Sequence, residues 1–160
     1  MDPARIELAL HDCQPCVLPL DYGLNKSYKW CLFLIIMEKN NGNKETGDCI
    51  FCKIINGEIE CKRVYEDDNF IAFFDIKPKA DGHTLIVPKK HFKTILDIPS
   101  SLGVELLDAI KKVSLDLISC GKGEGVNVVI NVSRVAGQLV DHAHVHIIPR
   151  KKDDGLKMIV

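Results

Sequence analysis

The chain has 160 residues, with 21 Lys plus Arg against 22 Asp plus Glu and a formal net charge of −1. That length suits one domain with some excess, and a hydrophobic content of 46% supports a core that needs no disulfide staples. The balanced charge excludes a polybasic nucleic-acid binder held by counterion release and an acidic disordered chain.

Residues 1–37 show no sustained helix or strand period. Their apolar run, Trp30 to Met37, falls well short of the roughly 20 residues that cross a bilayer, so no membrane partner is expected. Lys26 and Lys29 precede the run as in a signal peptide, but Glu38-Lys39-Asn40-Asn41 follows instead of small cleavage-site residues. A cytoplasmic location is therefore expected. Residues 38–47 are a polar linker by composition, and translation from Met37 would leave the upstream segment out of the working protein. The expected organisation is an irregular extension and linker over 1–47 and a domain over 48–160. Seven cysteines form no even framework, which favours metal ligands or free thiols. Cys13 and Cys16 make a Cys-x-x-Cys pair read as incidental, and Cys31, Cys61 and Cys120 are expected as core or free thiols.

From Asp48 the patterns sharpen. Cys49 to Ile55 predicts a short helix with Asp48 as its N-cap, stopped by Asn56-Gly57. Arg63–Tyr65 and Phe70–Phe74 predict two strands joined by a turn, and Thr84–Pro88 a third. Ser100 to Ser119 is the clear long helix, with Leu102, Leu106, Ile110, Val113 and Leu117 on one face. Val126–Val132 and Val140–Ile148 predict two further strands. The fold class is α+β: an antiparallel sheet of about five strands with one long and one short helix.

The histidines carry the chemistry. Side chains alternate along a strand, so His142, His144 and His146 share one face while Ala143, Val145 and Ile147 turn to the core. A solvent-washed polar face and a three-His catalytic zinc site are alternatives. The surroundings point instead to phosphoryl or nucleotidyl transfer. Asn131 offers an amide donor, Gly137 allows close backbone approach and free N–H groups for an anion, and His83 can reach the same cleft. An imidazole that attacks phosphorus splits one difficult substitution into two easier ones.

His142-Ala143-His144-Val145-His146-Ile147-Ile148 resembles the signature of the histidine triad (HIT) superfamily, His-φ-His-φ-His-φ-φ with φ apolar. Asp48 to Ile59, Phe73-Phe74-Asp75-Ile76, Gly82 to His91, Asn131 and Ala136-Gly137-Gln138 extend the likeness over residues 48–156. The resemblance implies a nucleotide hydrolase or transferase acting at the α-phosphate of purine mononucleotide substrates. It casts His144 as nucleophile, His142 and His146 as flanking imidazoles that handle the leaving-group proton, and His83 as the supporting imidazole. Asn131, Gly137 and Gln138 match phosphate-binding positions, and Asp75 the carboxylate that accepts from the ribose. Phe51, Ile54, Phe73, Ile76 and Leu85 match the base-pocket walls; ordinary core is the alternative for each.

Asn131 places the chain nearer the Hint-like and prokaryotic-type branch, which cleaves nucleoside phosphoramidates and aminoacyl-adenylates. Dinucleoside polyphosphate hydrolysis and a non-catalytic nucleotide-binding module are the alternatives. Leu139 departs from the Ser often found there. Cys49-x-x-Cys52 suits tetrahedral zinc but leaves two ligands to find. The resemblance supplies them as His91 and His142, giving a structural Zn2+ site; two buried thiols and a surface His are the alternative. It also implies a two-fold homodimer through the long helix and an edge strand.

Overall fold

The computed structural model describes residues 49–157. Asp48, the Cys13 and Cys16 pair, Cys31, the apolar run 30–37 and the linker lie outside them. The described chain runs α1 (Ile50–Ile55), β1 (Arg63–Glu66), β2 (Phe70–Phe74), β3 (Thr84–Pro88), α2 (Gly103–Ser119), β4 (Gly125–Val129) and β5 (Val145–Arg150). Short 3-10 turns sit at Ile95–Asp97, Ser100–Leu102 and Arg134–Ala136. The five strands form one antiparallel sheet in the order β1-β2-β3-β5-β4.

Alternation along the strands gives the sheet two different faces. Phe70, Ala72, Ile86, Val145 and Ile147 point one way and bury against Ala109, Val113 and Leu117 of α2. Leu102, Leu106 and Ile110 pack at the margin of that core, so the predicted apolar stripe is the one that docks. The other face carries Ile71, Phe73, Leu85 and Val87, with Leu85 opposite His146 across the β3–β5 pairing. Phe51 and Ile54 of α1 are buried too, and the Phe51 ring meets that face edge-on at Phe73, 5.7 Å between centroids. A helix of one and a half turns has little stability of its own, so this packing holds it.

α2 is apolar on both sides. Val104, Leu107, Leu115 and Ile118 are exposed and share the stripe opposite the core. β4 is an edge strand with Val128 exposed, and its free edge lies beyond β5.

Several element ends differ from the sequence reading. Cys49, and not Asp48, occupies the N-cap of α1, and it makes no side-chain cap because its sulfur faces His142. The long helix opens with a 3-10 turn at Ser100–Leu102 before the α-helix starts at Gly103. β4 ends at Val129 and β5 begins at Val145, so Asn131, His142 and His144 stand on connecting backbone outside the ladder. Cys61 is a free, half-buried thiol.

Candidate functional site

Entry to β5 orients the central histidine. His144 is buried, and its Nδ1–H donates to the His142 carbonyl at 2.7 Å. That bond fixes the proton on Nδ1 and leaves the Nε2 lone pair unprotonated. The His144 ring lies 5.3 Å from Phe51 and 5.0 Å from His146, in both cases edge to face.

A second chain of bonds sets the neighbouring tautomers. The Lys79 backbone N–H donates to His83 Nδ1 at 3.2 Å, so the proton of a neutral His83 sits on Nε2. His83 Nε2 stands 3.0 Å from His146 Nδ1 and donates to it. His146 therefore carries its own proton on Nε2. Burial holds His83 neutral below its ordinary value, against the opposing pull of Asp75, whose Oδ2 lies 3.6 Å from His83 Nδ1. Burial, reinforced by the neighbouring His144 and His83, pushes His146 down to about 4. His144 is lowered as well, again chiefly by burial.

His142 was expected both as a flanking imidazole and as a metal ligand, and its ring nitrogens meet the partners of the second role. Its ring is turned away from its two companions and toward Cys49, Cys52 and His91. Nε2–H donates to the Pro88 carbonyl at 2.9 Å, and Nδ1 lies 3.3 Å from Cys49 Sγ and 3.6 Å from Cys52 Sγ. Both ring nitrogens are thus committed, and neither is left to carry a leaving-group proton. His142 reaches the nucleophile through its backbone carbonyl instead.

Cys49, Cys52, His91 and His142 form a group whose ligand atoms all lie within 4.8 Å of one another. Cys52 Sγ is 3.3 Å from His91 Nδ1, and the His91 and His142 rings meet at 4.6 Å. Tetrahedral zinc, with Zn–S about 2.3 Å and Zn–N about 2.0 Å, sets neighbouring sulfur and nitrogen ligands about 3.5 Å apart. The separations fit. The Pro88 bond fits as well, because it leaves the His142 Nδ1 lone pair facing the sulfurs. Burial and then the adjacent Cys49 hold the Cys52 thiol up to about 12, so an ionised pair here calls for a compensating cation. These four residues could hold a metal ion.

The remaining expectations divide. Phe51 and Phe73 meet each other and Phe51 meets His144, while Ile54 and Leu85 are buried beside them. Ile76 is 39% exposed, so it is a rim residue and not a buried wall. Asp75 Oδ1 accepts from the Lys77 N–H at 2.8 Å. Asn131 reaches Gly137: a Cβ on that glycine would stand 3.6 Å from Asn131 Nδ2. Gly137 has φ +91°, which an L side chain rarely adopts, so conformation and not crowding demands glycine here.

The expectation of a free N–H at Gly137 fails, because that group donates to the Arg134 carbonyl at 3.0 Å and closes a 3-10 turn. Gln138 also differs from expectation. It is 1% exposed and its amide is spent on the backbone: Oε1 accepts from Ser133 N–H, and Nε2 donates to Lys93 O and Val140 O. The Pro88, Lys93 and Ser133 backbone groups escaped the sequence reading, since no residue type marks a carbonyl or N–H as a partner.

A family model described as the HIT domain matches residues 56–153. The chain belongs to the HIT family. It is 50% identical over 107 residues to an uncharacterised HIT-like protein of Methanocaldococcus jannaschii, covering 67% of this chain and 82% of that one. It is 42% identical over 109 residues to the adenosine 5'-monophosphoramidase of Candida albicans, covering 66% and 72%. A crystal structure of a Zn-bound histidine triad family protein from Mycobacterium smegmatis superposes with a TM-score of 0.65 at 33% identity, covering 69% of this chain and 80% of that one. Among the described residues no helix is long and apolar enough to cross a membrane.

The buried neutral imidazoles predict an acid-labile fold. An unfolded His takes a proton near pH 6.5, whereas folded His146 stays neutral down to about 4. The unfolded chain binds more protons across that window, so stability is complete above pH 6.5 and is lost as pH falls toward 4. Urea midpoints measured from pH 7 to pH 4.5 should fall, and should fall less in His146→Asn. An equal fall in both chains would remove His146 from the account.

Proposed function

We propose that this HIT protein is a nucleotide hydrolase or transferase that cleaves adenosine phosphoramidates or aminoacyl-adenylates at the α-phosphate through a nucleotidyl-His144 intermediate. The observation that carries the reading is the 2.7 Å bond from His144 Nδ1–H to the His142 carbonyl, which leaves Nε2 as a nucleophile. Nε2 bonds to phosphorus as the bond to the leaving group breaks. The departing amine takes a proton that solvent supplies by way of His146, whose Nε2–H leads it to the amine and which stays neutral, and the cation formed on His144 faces the anionic phosphate bonded to it. Water then attacks phosphorus as the bond to His144 Nε2 breaks; its oxygen goes to AMP, and its proton leaves to solvent by the same His146 route. His83 holds His146 in the tautomer this requires. Asn131 receives the phosphate beside Gly137, whose lack of a side chain permits close approach, Asp75 accepts from the ribose, and Phe51, Phe73, Ile54 and Leu85 enclose the base with Ile76 at the rim.

His144→Ala should lose at least about a thousandfold in kcat on an adenosine phosphoramidate while still binding AMP. Acid-quenched wild-type protein should carry an adenylyl group on the peptide that contains His144. Retained turnover in the variant would sink the mechanism.

The metal assigned to Cys49, Cys52, His91 and His142 is zinc in a structural role. Bound there, it would cross-link α1 to the segment before α2 and to the first triad histidine. Purified protein should hold one zinc equivalent, and Cys49→Ser with Cys52→Ser should abolish it and lower the unfolding midpoint. Substoichiometric metal after preparation with added zinc would count against the assignment.

A homodimer is supported by the exposed stripe Val104, Leu107, Leu115 and Ile118 beside the open edge of β4. Wild-type protein should sediment as a dimer and Leu115→Glu as a monomer; a monomeric wild type would refute it.

A further inference from the structure

Ser133 has φ 66° and ψ 165°, a region that is essentially reserved for glycine. An L residue stays there only when its surroundings over-determine it. Gln138 does so from both sides. Its side-chain Oε1 accepts from the Ser133 N–H at 2.9 Å, and its backbone N–H donates to the Ser133 carbonyl at 3.1 Å. The same side chain reaches outward through Nε2 to the Lys93 carbonyl at 2.7 Å and to the Val140 carbonyl at 3.0 Å. Ser133 follows Asn131 by two residues, and Gln138 follows Gly137 directly. The loop between them is closed by Ala136 N–H, which also donates to the Ser133 carbonyl at 3.1 Å.

We infer that Ser133 and Gln138 form a strained clasp that holds Asn131 and Gly137 in register and ties their loop to the segment carrying His91. Gln138 is a positioning residue in this account and touches no substrate. Its buried amide, fully spent on backbone, has no capacity left for a phosphate oxygen. The strain at Ser133 makes the clasp detectable. A glycine there would adopt the observed backbone without being held, so it should need Gln138 less than serine does.

The inference deepens the functional reading above and rests on it for its kinetic consequences, while its mechanical part stands apart from turnover. Four full-length proteins decide it: wild type, Ser133→Gly, Gln138→Met and the double variant. Met conserves the volume of Gln and removes its hydrogen bonds. Ser133→Gly should raise the thermal midpoint by about 3 °C through relief of strain. Gln138→Met should lower the midpoint and cut kcat on adenosine phosphoramidate about tenfold, with KM changing less. In the double variant, glycine should recover about half of both losses. A fall in the midpoint on Ser133→Gly would overturn the strain, and strictly additive midpoints would overturn the clasp. Failure of the wild type to turn over any adenosine phosphoramidate or aminoacyl-adenylate would sink the functional reading alone, since the midpoint cycle still decides the clasp.

Discussion

One hydrogen bond organises the chemistry proposed for this fold: His144 Nδ1–H to the carbonyl two residues earlier. A neutral imidazole has one lone-pair nitrogen, and the nitrogen that is not donating becomes the reactive one. The bond therefore selects Nε2 of His144, but only if the His142 carbonyl is itself held still. Two restraints do this. The His142 ring donates to Pro88 O from one side and faces two sulfurs from the other, and the next residue, Ala143, donates its N–H to the Phe92 carbonyl at 2.7 Å.

The segment from Pro88 to Lys93 is thus a brace for the site, although it holds no group that meets phosphate. Three of its carbonyls, on Pro88, Phe92 and Lys93, accept from His142, Ala143 and Gln138. His91 in the same segment faces Cys52. The Cys49, Cys52, His91 and His142 group, the triad and the loop from Asn131 to Gln138 are consequently tied to one short stretch of backbone. In a buried setting each unmade bond of this kind would leave a polar group without water, which is why such networks hold a single geometry.

Two interior environments coexist on the sheet. Toward α2 the packing is mainly apolar, built from Phe70, Ile86, Val145, Ile147 and their partners, and the buried Thr84 hydroxyl donates to the Gly82 carbonyl. Toward α1 the same strands present imidazoles among Phe51, Phe73 and Leu85, and burial there drives the histidines to their neutral forms. Neutrality serves both proposed tasks, because a nucleophile needs a free lone pair and a metal ligand must be deprotonated.

Strand alternation alone assigned the histidines to one face and Ala143, Val145 and Ile147 to the other, because a period of two cannot place them otherwise. The helical spacing of Leu102, Leu106, Ile110, Val113 and Leu117 likewise identified the docking face of α2, and the density of histidine beside Asn131 and Gly137 pointed to the proposed site. Three things were decided only in three dimensions. The His142 ring was tied to the Pro88 carbonyl, Gln138 was turned inward to the backbone, and Ser133 was forced into a glycine conformation. Each depends on partners distant in sequence or on carbonyl and N–H groups that every residue shares. A one-dimensional pattern reports which side chains face together, and it is silent on which backbone atoms they find there.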